Sequence, residues 1–192
     1  MRRPFVGVLL FIFAVVLCMI LSVTAVISSA AEKSGTVGVS FGYERQTGNA
    51  TNQYALWVED SDGRLVKTLY ATRFTVAGGW EKRPNSIKLW VKQSNLPEMT
   101  TAQTDAITSP TPRSGVQKYS WDFTDNDGKP VPDGAYTLFL EGTLRDEDTV
   151  VYSARFETGA SERDLDVETK YSGDDLPDRG MIHDVKIHFV PR

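Results

Sequence analysis

The stretch from Val116 to Leu140, VQKYSWDFTDNDGKPVPDGAYTLFL, constrains the fold more than any other part of this chain. Tyr119, Trp121 and Phe123 share one parity, so in an extended segment all three point to one face. Asp125-Asn126-Asp127-Gly128 then stops the alternation with turn chemistry: Asx side chains bond nearby backbone and Gly accepts a positive φ. Pro130 and Pro132 hold the next residues extended and withhold ladder donors. Asp133-Gly134 predicts a second turn. Between Ala135 and Glu141 the alternation returns, with Tyr136, Leu138 and Leu140 on one face. Tyr119, Trp121, Tyr136, Leu138 and Leu140 are therefore expected in one buried core.

Similar short runs recur along the chain. Val37, Val39, Phe41 and Tyr43 alternate with small polar positions, which predicts a strand over Thr36 to Tyr43. Gln53 to Glu59 and Arg64 to Phe74 flank Asp60-Ser61-Asp62-Gly63, and an Asp-Gly pair between apolar runs predicts a hairpin. Ile87, Trp90 and Val91 fall at helical spacing, so Asn85 to Asn95 reads as a short amphipathic helix capped by Asn85, with a strand as the alternative because Ile87, Leu89 and Val91 also alternate. Leu96 to Gly115 is polar, carries Pro97, Pro110 and Pro112, and reads as a long loop. Three further strands are expected, over Thr149 to Thr158, Leu165 to Tyr171, and Val185 to Phe189, with an acidic loop at Ser172 to Gly180 before the last. Some eight short strands separated by turn signals predict an all-β fold, an antiparallel immunoglobulin-like β-sandwich.

The N-terminus reads differently. Met1-Arg2-Arg3 is basic, and Pro4 to Ala31 holds no charged residue. Residues 5–27 are apolar enough to span a bilayer, which takes about 20 residues. Ser28-Ser29-Ala30-Ala31 offers small residues for signal-peptidase cleavage before Glu32. Residues 1–31 thus read as a signal peptide or an N-terminal membrane anchor, and residues 32–192 as the sandwich domain. Both readings put the domain outside the cytoplasm, in the periplasm, with anchoring in the inner membrane if the signal is uncleaved. Cys18, the single cysteine, lies within the apolar run. The exported part then has no disulfide, no CxxC redox pair and no thiolate metal site. Without Arg2 and Arg3 the net charge goes from −4 to −6, and an acidic domain with scattered charge excludes a nucleic-acid binder.

Candidate chemistry is sparse. His183 and His188 are the only histidines; five apart on a strand, they are expected on opposite faces, which excludes a shared metal. The motifs at Asp60 and Asp125 begin like calcium loops, but their twelfth positions are Ala71 and Tyr136 where a bidentate Glu is needed. No metal site is expected. No nucleophile beside a base is visible, so no catalytic residue is assigned and the domain reads as non-enzymatic. Trp80, between Gly79 and Glu81, is the tryptophan expected to be exposed.

Trp121, Asp125, Gly128, Val131-Pro132 and Gly134-Ala135-Tyr136 resemble the signature of the immunoglobulin-like domain in flagellar hook-capping proteins, with Phe123 in place of a Gly. The wider pattern, YALWVEDSDGRLVKTLYATRF, GGWEKRP, TDAITSPTPRSG and the central stretch, resembles domain-of-unknown-function family 2271 from about Val37 to Phe156. That resemblance implies a periplasmic sandwich in a redox setting, because members are associated with membrane flavoproteins and periplasmic flavin transfer. It also draws attention to Asp105-Ala106-Ile107-Thr108-Ser109-Pro110-Thr111. Flavin-transferase targets carry Asp-x-x-Ser/Thr-Gly-Ala-Ser/Thr, whose last hydroxyl takes flavin mononucleotide (FMN) as a phosphoester. Here Ser109 and Pro110 stand where Gly and Ala belong. The functional expectation is a binding or accessory module whose partner is a membrane or periplasmic protein. The alternative is a covalent FMN carrier in extracytoplasmic electron transfer, with Thr111 as the attachment residue.

Overall fold

In a computed structural model, residues 35–192 are described, apart from Asn49, Asp146 and the side chain of Ala50. The expectations for the N-terminal signal or anchor, for Cys18 and for membrane contact through residues 5–27 lie outside the described residues. Within them no helix is long and apolar enough to cross a membrane.

Among the described residues ten strands form two sheets. They are β1 (Thr36–Tyr43), β2 (Ala50–Asp60), β3 (Leu65–Thr72), β4 (Thr108–Ser109), β5 (Gly115–Trp121), β6 (Ala135–Arg145), β7 (Thr149–Glu157), β8 (Arg163–Asp164), β9 (Glu168–Tyr171) and β10 (Ile182–Val190). One sheet has the order β5-β1-β10-β8 and the other β4-β3-β2-β6-β7-β9. All pairings are antiparallel except the two-residue contact of β3 with β4. The sheets pack face to face, so the expected all-β sandwich is the observed architecture.

The central stretch does what its parity implies. Trp121, Tyr136, Leu138 and Leu140 lie buried between the sheets, with half-buried Tyr119 packed against them. The Trp121 ring packs against Phe123 and Tyr136 at centroid distances of 4.8 and 5.1 Å, and its Nε1 donates to the Thr124 carbonyl at 2.8 Å. Phe123 stays in the core although it lies beyond the strand, because a φ of 60° turns its side chain inward. Asp125 Oδ1 accepts from the amides of Asp127 and Lys129, closing the Asx turn. The Tyr136 hydroxyl donates to the Pro132 carbonyl at 2.6 Å, a tie of the kind found at the corners of immunoglobulin-like sandwiches.

Two expected elements are replaced. Leu96 to Gly115 is not a loop: it contains a 3-10 turn, Leu96–Glu98, then a helix, Thr101–Ile107, then β4. Thr100 caps that helix through a reciprocal box with Gln103, whose side-chain oxygen accepts from the Thr100 amide; the T-x-x-Q spacing carried this signal. Leu165 to Tyr171 is strand only from Glu168: β8, just before it, pairs with β10 in one sheet and β9 with β7 in the other, so Leu165 to Val167 crosses between sheets.

Asp125-Asn126 has a second task. The Asn126 amide donates to the Val66 carbonyl, and its side-chain oxygen accepts from the Thr68 amide. It stands in for a strand residue on the flank of β3, covering backbone that an open edge would leave unpaired.

Trp121→Ala removes a fully buried ring from this core. The expected cost is about 3–5 kcal/mol, read as a lower midpoint in denaturant unfolding; an unchanged midpoint contradicts the assignment.

Candidate functional site

Residues 74–107 form a helical layer over the outer face of the six-stranded sheet. A helical turn at Thr75–Gly79 runs into Trp80–Lys82, kinked at Gly78 with φ 91°. Helix α1 (Lys88–Gln93) and helix α2 (Thr101–Ile107) follow. Ile87, Trp90, Leu96 and Val76 bury against Ala55, Trp57 and Ala71 of the sheet, and Trp57 stacks on Phe139 at 5.2 Å. Trp80, expected exposed, is half-buried and packs into this same cluster.

The seam under the layer is polar. Asn85 does not cap α1, and the expected helix begins three residues later than read. The residue before the helix is Ile87, in the left-handed region at φ 41° with no side-chain cap. The cap comes from β6: Glu141 Oε1 accepts from the Leu89 amide at 3.1 Å and Oε2 from the Trp90 amide at 2.9 Å. These are the second and third helical positions, whose N–H groups have no partner inside the helix. Thr143 Oγ1 accepts from the Ile87 amide at 2.7 Å. Thr68 Oγ1 accepts from Trp90 Nε1 at 3.1 Å. Further along, Thr75 links Ser86 to Gln53 of β2 through hydroxyl and amide groups. Among the described residues no buried side-chain nitrogen or oxygen lacks a partner. Burial holds the Glu141 carboxyl up at about 7, against the pull of the Trp90 and Leu89 amides and the nearby Lys88 charge.

At one end of the seam the layer meets the hairpin turn and leaves an open groove of about 540 Å³. Leu65 and Met99 add apolar surface to a mainly polar lining, and Arg64 and Glu98 supply opposite charges. Gln93, Asn95, Gln103 and Asn126 supply amides. Its walls are tied together, since Gln93 Nε2 donates to the Gly63 carbonyl. The turn itself is closed by Asp60 Oδ1, which accepts from the Asp62 and Arg64 amides. Asp60 is thereby engaged in the turn. No group of three His, Cys, Asp or Glu among the described residues could hold a metal.

The other candidates lie elsewhere. Thr111 is half-buried in the extended segment after β4, and the preceding Pro110 carbonyl accepts from the Tyr70 hydroxyl at 3.5 Å. Tyr70 belongs to an aromatic group at that end of the sandwich, with Tyr54 at 4.7 Å and Tyr119 at 5.3 Å. Tyr54 and Tyr119 share a hydroxyl–hydroxyl bond of 2.7 Å. Burial raises the pKa of all three, Tyr70 to about 12. His183 and His188 do not face opposite ways. A bulge with Asp184 at φ 52° shifts the register, so the histidines oppose Gly42 and Gly38 on one outer face. An ideal Cβ on Gly42 would lie 2.2 Å from the His183 ring, so glycine leaves room for that imidazole. Four residues of strand still part the pair by about 13 Å, too far for one metal. His188 instead bonds Asp164 at 2.8 Å, and the neighbouring carboxylates raise its pKa.

The groove and seam were missed by reading the sequence. One signal was present: Tyr54-Ala55-Leu56-Trp57-Val58 is a continuous apolar run, each residue at most 2% exposed, the mark of a strand covered on both faces. Fold and site together define an all-β sandwich domain with a helical layer buried onto one sheet. The chain belongs to domain-of-unknown-function family 2271, described as predicted periplasmic protein, whose model matches residues 34–173. That match takes in β1 through β9 and the whole helical layer and stops short of β10. No curated protein and no solved structure matches the chain.

Thr143→Val keeps shape but leaves the Ile87 amide without its acceptor in a buried, left-handed turn. The expected loss is about 1–3 kcal/mol, measured by denaturant unfolding. An unchanged stability shows that the turn finds another partner.

Proposed function

We propose that this protein is a non-enzymatic periplasmic accessory module that holds a membrane or periplasmic protein partner at the groove between the hairpin turn and the helical layer. One observation carries the reading: the groove joins amide groups, opposite charges and the apolar Leu65 and Met99, with Gln93 of one side tied to Gly63 of the other. A preformed site spends little of its binding energy on ordering. The test is a photocrosslinking residue placed at Asn95 or Gln103, and separately at Ser120 on the outer face of the other sheet, in the native host. The groove positions should give a discrete protein adduct that Arg64→Ala with Glu98→Ala weakens. Equal adducts at Ser120, or none in the groove, refute the reading.

A second reading is an FMN carrier with the phosphoester on Thr111, which is half-buried next to the Pro110 carbonyl that accepts from the Tyr70 hydroxyl; Tyr54 and Tyr70 are themselves buried, which leaves half-buried Tyr119 as the ring of that group a flavin could meet. Ser109 weighs against it, because β4 engages that residue opposite Thr72 where the target motif has a glycine. Co-expression with a flavin transferase decides between them. A carrier gives in-gel flavin fluorescence that Thr111→Ala abolishes; a dark band in the unmodified sequence removes the carrier reading.

A further inference from the structure

The outer surface of the helical layer differs from the rest of the domain in charge. From Arg73 to Lys92 the chain carries five cations, Arg73, Lys82, Arg83, Lys88 and Lys92, and one carboxylate, Glu81, although its net charge is −4. All six side chains are exposed. Among the described residues none of the five cations is paired with a carboxylate. The same stretch exposes apolar side chains. Three large hydrophobic residues are exposed among the described residues, and two of them lie here, Phe74 at 41% and Leu89 at 46%. The third, Val116, is on β5.

Charged and apolar side chains are interleaved on this surface. The Arg83 guanidinium sits over the Phe74 ring, 5.5 Å from its centre. That ring lies against Gly79, where an ideal Cβ would be 2.6 Å from two of its carbons. Trp80 is the next residue, half-buried. On α1, Lys88, Leu89 and Lys92 fall at helical spacing on one side, and Trp90 on the other side is fully buried toward the sheet. The second half of the layer carries Glu98 and Asp105 instead and leads to the groove.

We propose that the surface from Arg73 to Lys92 docks the domain on an anionic lipid bilayer, with the cations among the headgroup phosphates and Phe74 and Leu89 at the boundary with the acyl chains. Basic residues interspersed with exposed apolar ones are what such an interface binds, because burial of apolar area adds to the attraction for anionic lipid. Each Lys or Arg near an anionic surface strengthens that attraction about fivefold. Their apolar stems lie along the inserted side chains while the charged heads stay in the phosphate layer. Three of the five cations are lysines, a residue depleted from protein–protein interfaces. The acidic remainder of the domain is repelled by the same lipid, so this face is the one presented. None of these residues lines the groove, and its occupant has no part in the proposal.

Trp80 reports the docking, because the other three tryptophans are at most 2% exposed and residues 1–31 contain none. The full chain is reconstituted in vesicles of brominated phosphatidylcholine, with and without phosphatidylglycerol, and tryptophan quenching is measured. Quenching is expected with phosphatidylglycerol and should vanish in about 0.5 M NaCl, where charges are screened within a few ångström. Lys82→Gln, Lys88→Gln and Lys92→Gln together should weaken docking on the order of a hundredfold. Leu89→Ser should weaken it with every charge in place, and Trp80→Phe should remove the signal. Lys118→Gln with Lys186→Gln, exposed on the outer face of the other sheet on either side of Ser40, should change nothing. All the substituted lysines and Leu89 are exposed, so an unchanged unfolding midpoint separates lost docking from lost folding. The proposal is overturned by no quenching with phosphatidylglycerol, by equal quenching in neutral vesicles, or by loss in the Lys118 and Lys186 variant instead. A photocrosslinker at Leu89 that captures one protein rather than lipid in the native host overturns it as well.

Discussion

Strands β2 and β6 are covered on both faces, and the rest of the molecule depends on that double burial. On the inner side Leu56 opposes Leu140 and Val58 opposes Leu138, filling the space between the sheets. On the outer side Trp57 opposes Phe139 and Ala55 opposes Glu141, and the helical layer closes over them. A strand with two dry faces needs apolar side chains at successive positions, which is why YALWV runs without a break. Where a polar residue does enter the outer face, the overlying layer must supply its partners, because an unsatisfied buried group costs more than most single contacts return.

The seam meets that demand in a consistent way. Glu141, Thr143 and Thr68 present oxygens to the start of α1, where backbone and indole N–H groups arrive without partners. The helix is too short to be stable alone, and its first turn is set by the sheet. The unusual backbone of Ile87 follows from this: a β-branched residue at positive φ is disfavoured, and burial with a 2.7 Å bond to Thr143 keeps it there. A fully satisfied polar seam admits one register of layer on sheet, so the groove at its end inherits a defined shape. The same arrangement places a carboxyl in a dry site, where burial raises its pKa against the pull of the two amides.

Much of the sandwich was legible. Period-two alternation placed β1, β6, β7 and β10, and Asp-Gly and Asp-Asn-Asp-Gly placed their turns. The errors share a cause. Asn85 looked like a cap because caps are usually local, whereas the acceptor was 52 residues from Leu89 along the chain. The histidines were assigned to opposite faces by counting, and one bulged residue, Asp184, reverses such a count. Leu96 to Gly115 looked like a loop because its prolines and polar residues hid a seven-residue helix whose side chains face mostly solvent.

By itself the sequence determined the alternation of the strands, the turn chemistry between them and the aromatic core around Trp121, because those follow from local periodicity and from backbone preferences of Gly, Pro, Asn and Asp. Family membership was also legible in the motifs. Only the tertiary structure decided that one sheet carries a second core, that Glu141 caps a helix it does not belong to, and that a groove opens where Gln93 meets Gly63. Those features arise from contacts between residues far apart in the chain, and whether a given polar side chain is exposed or dry is set by what packs over it.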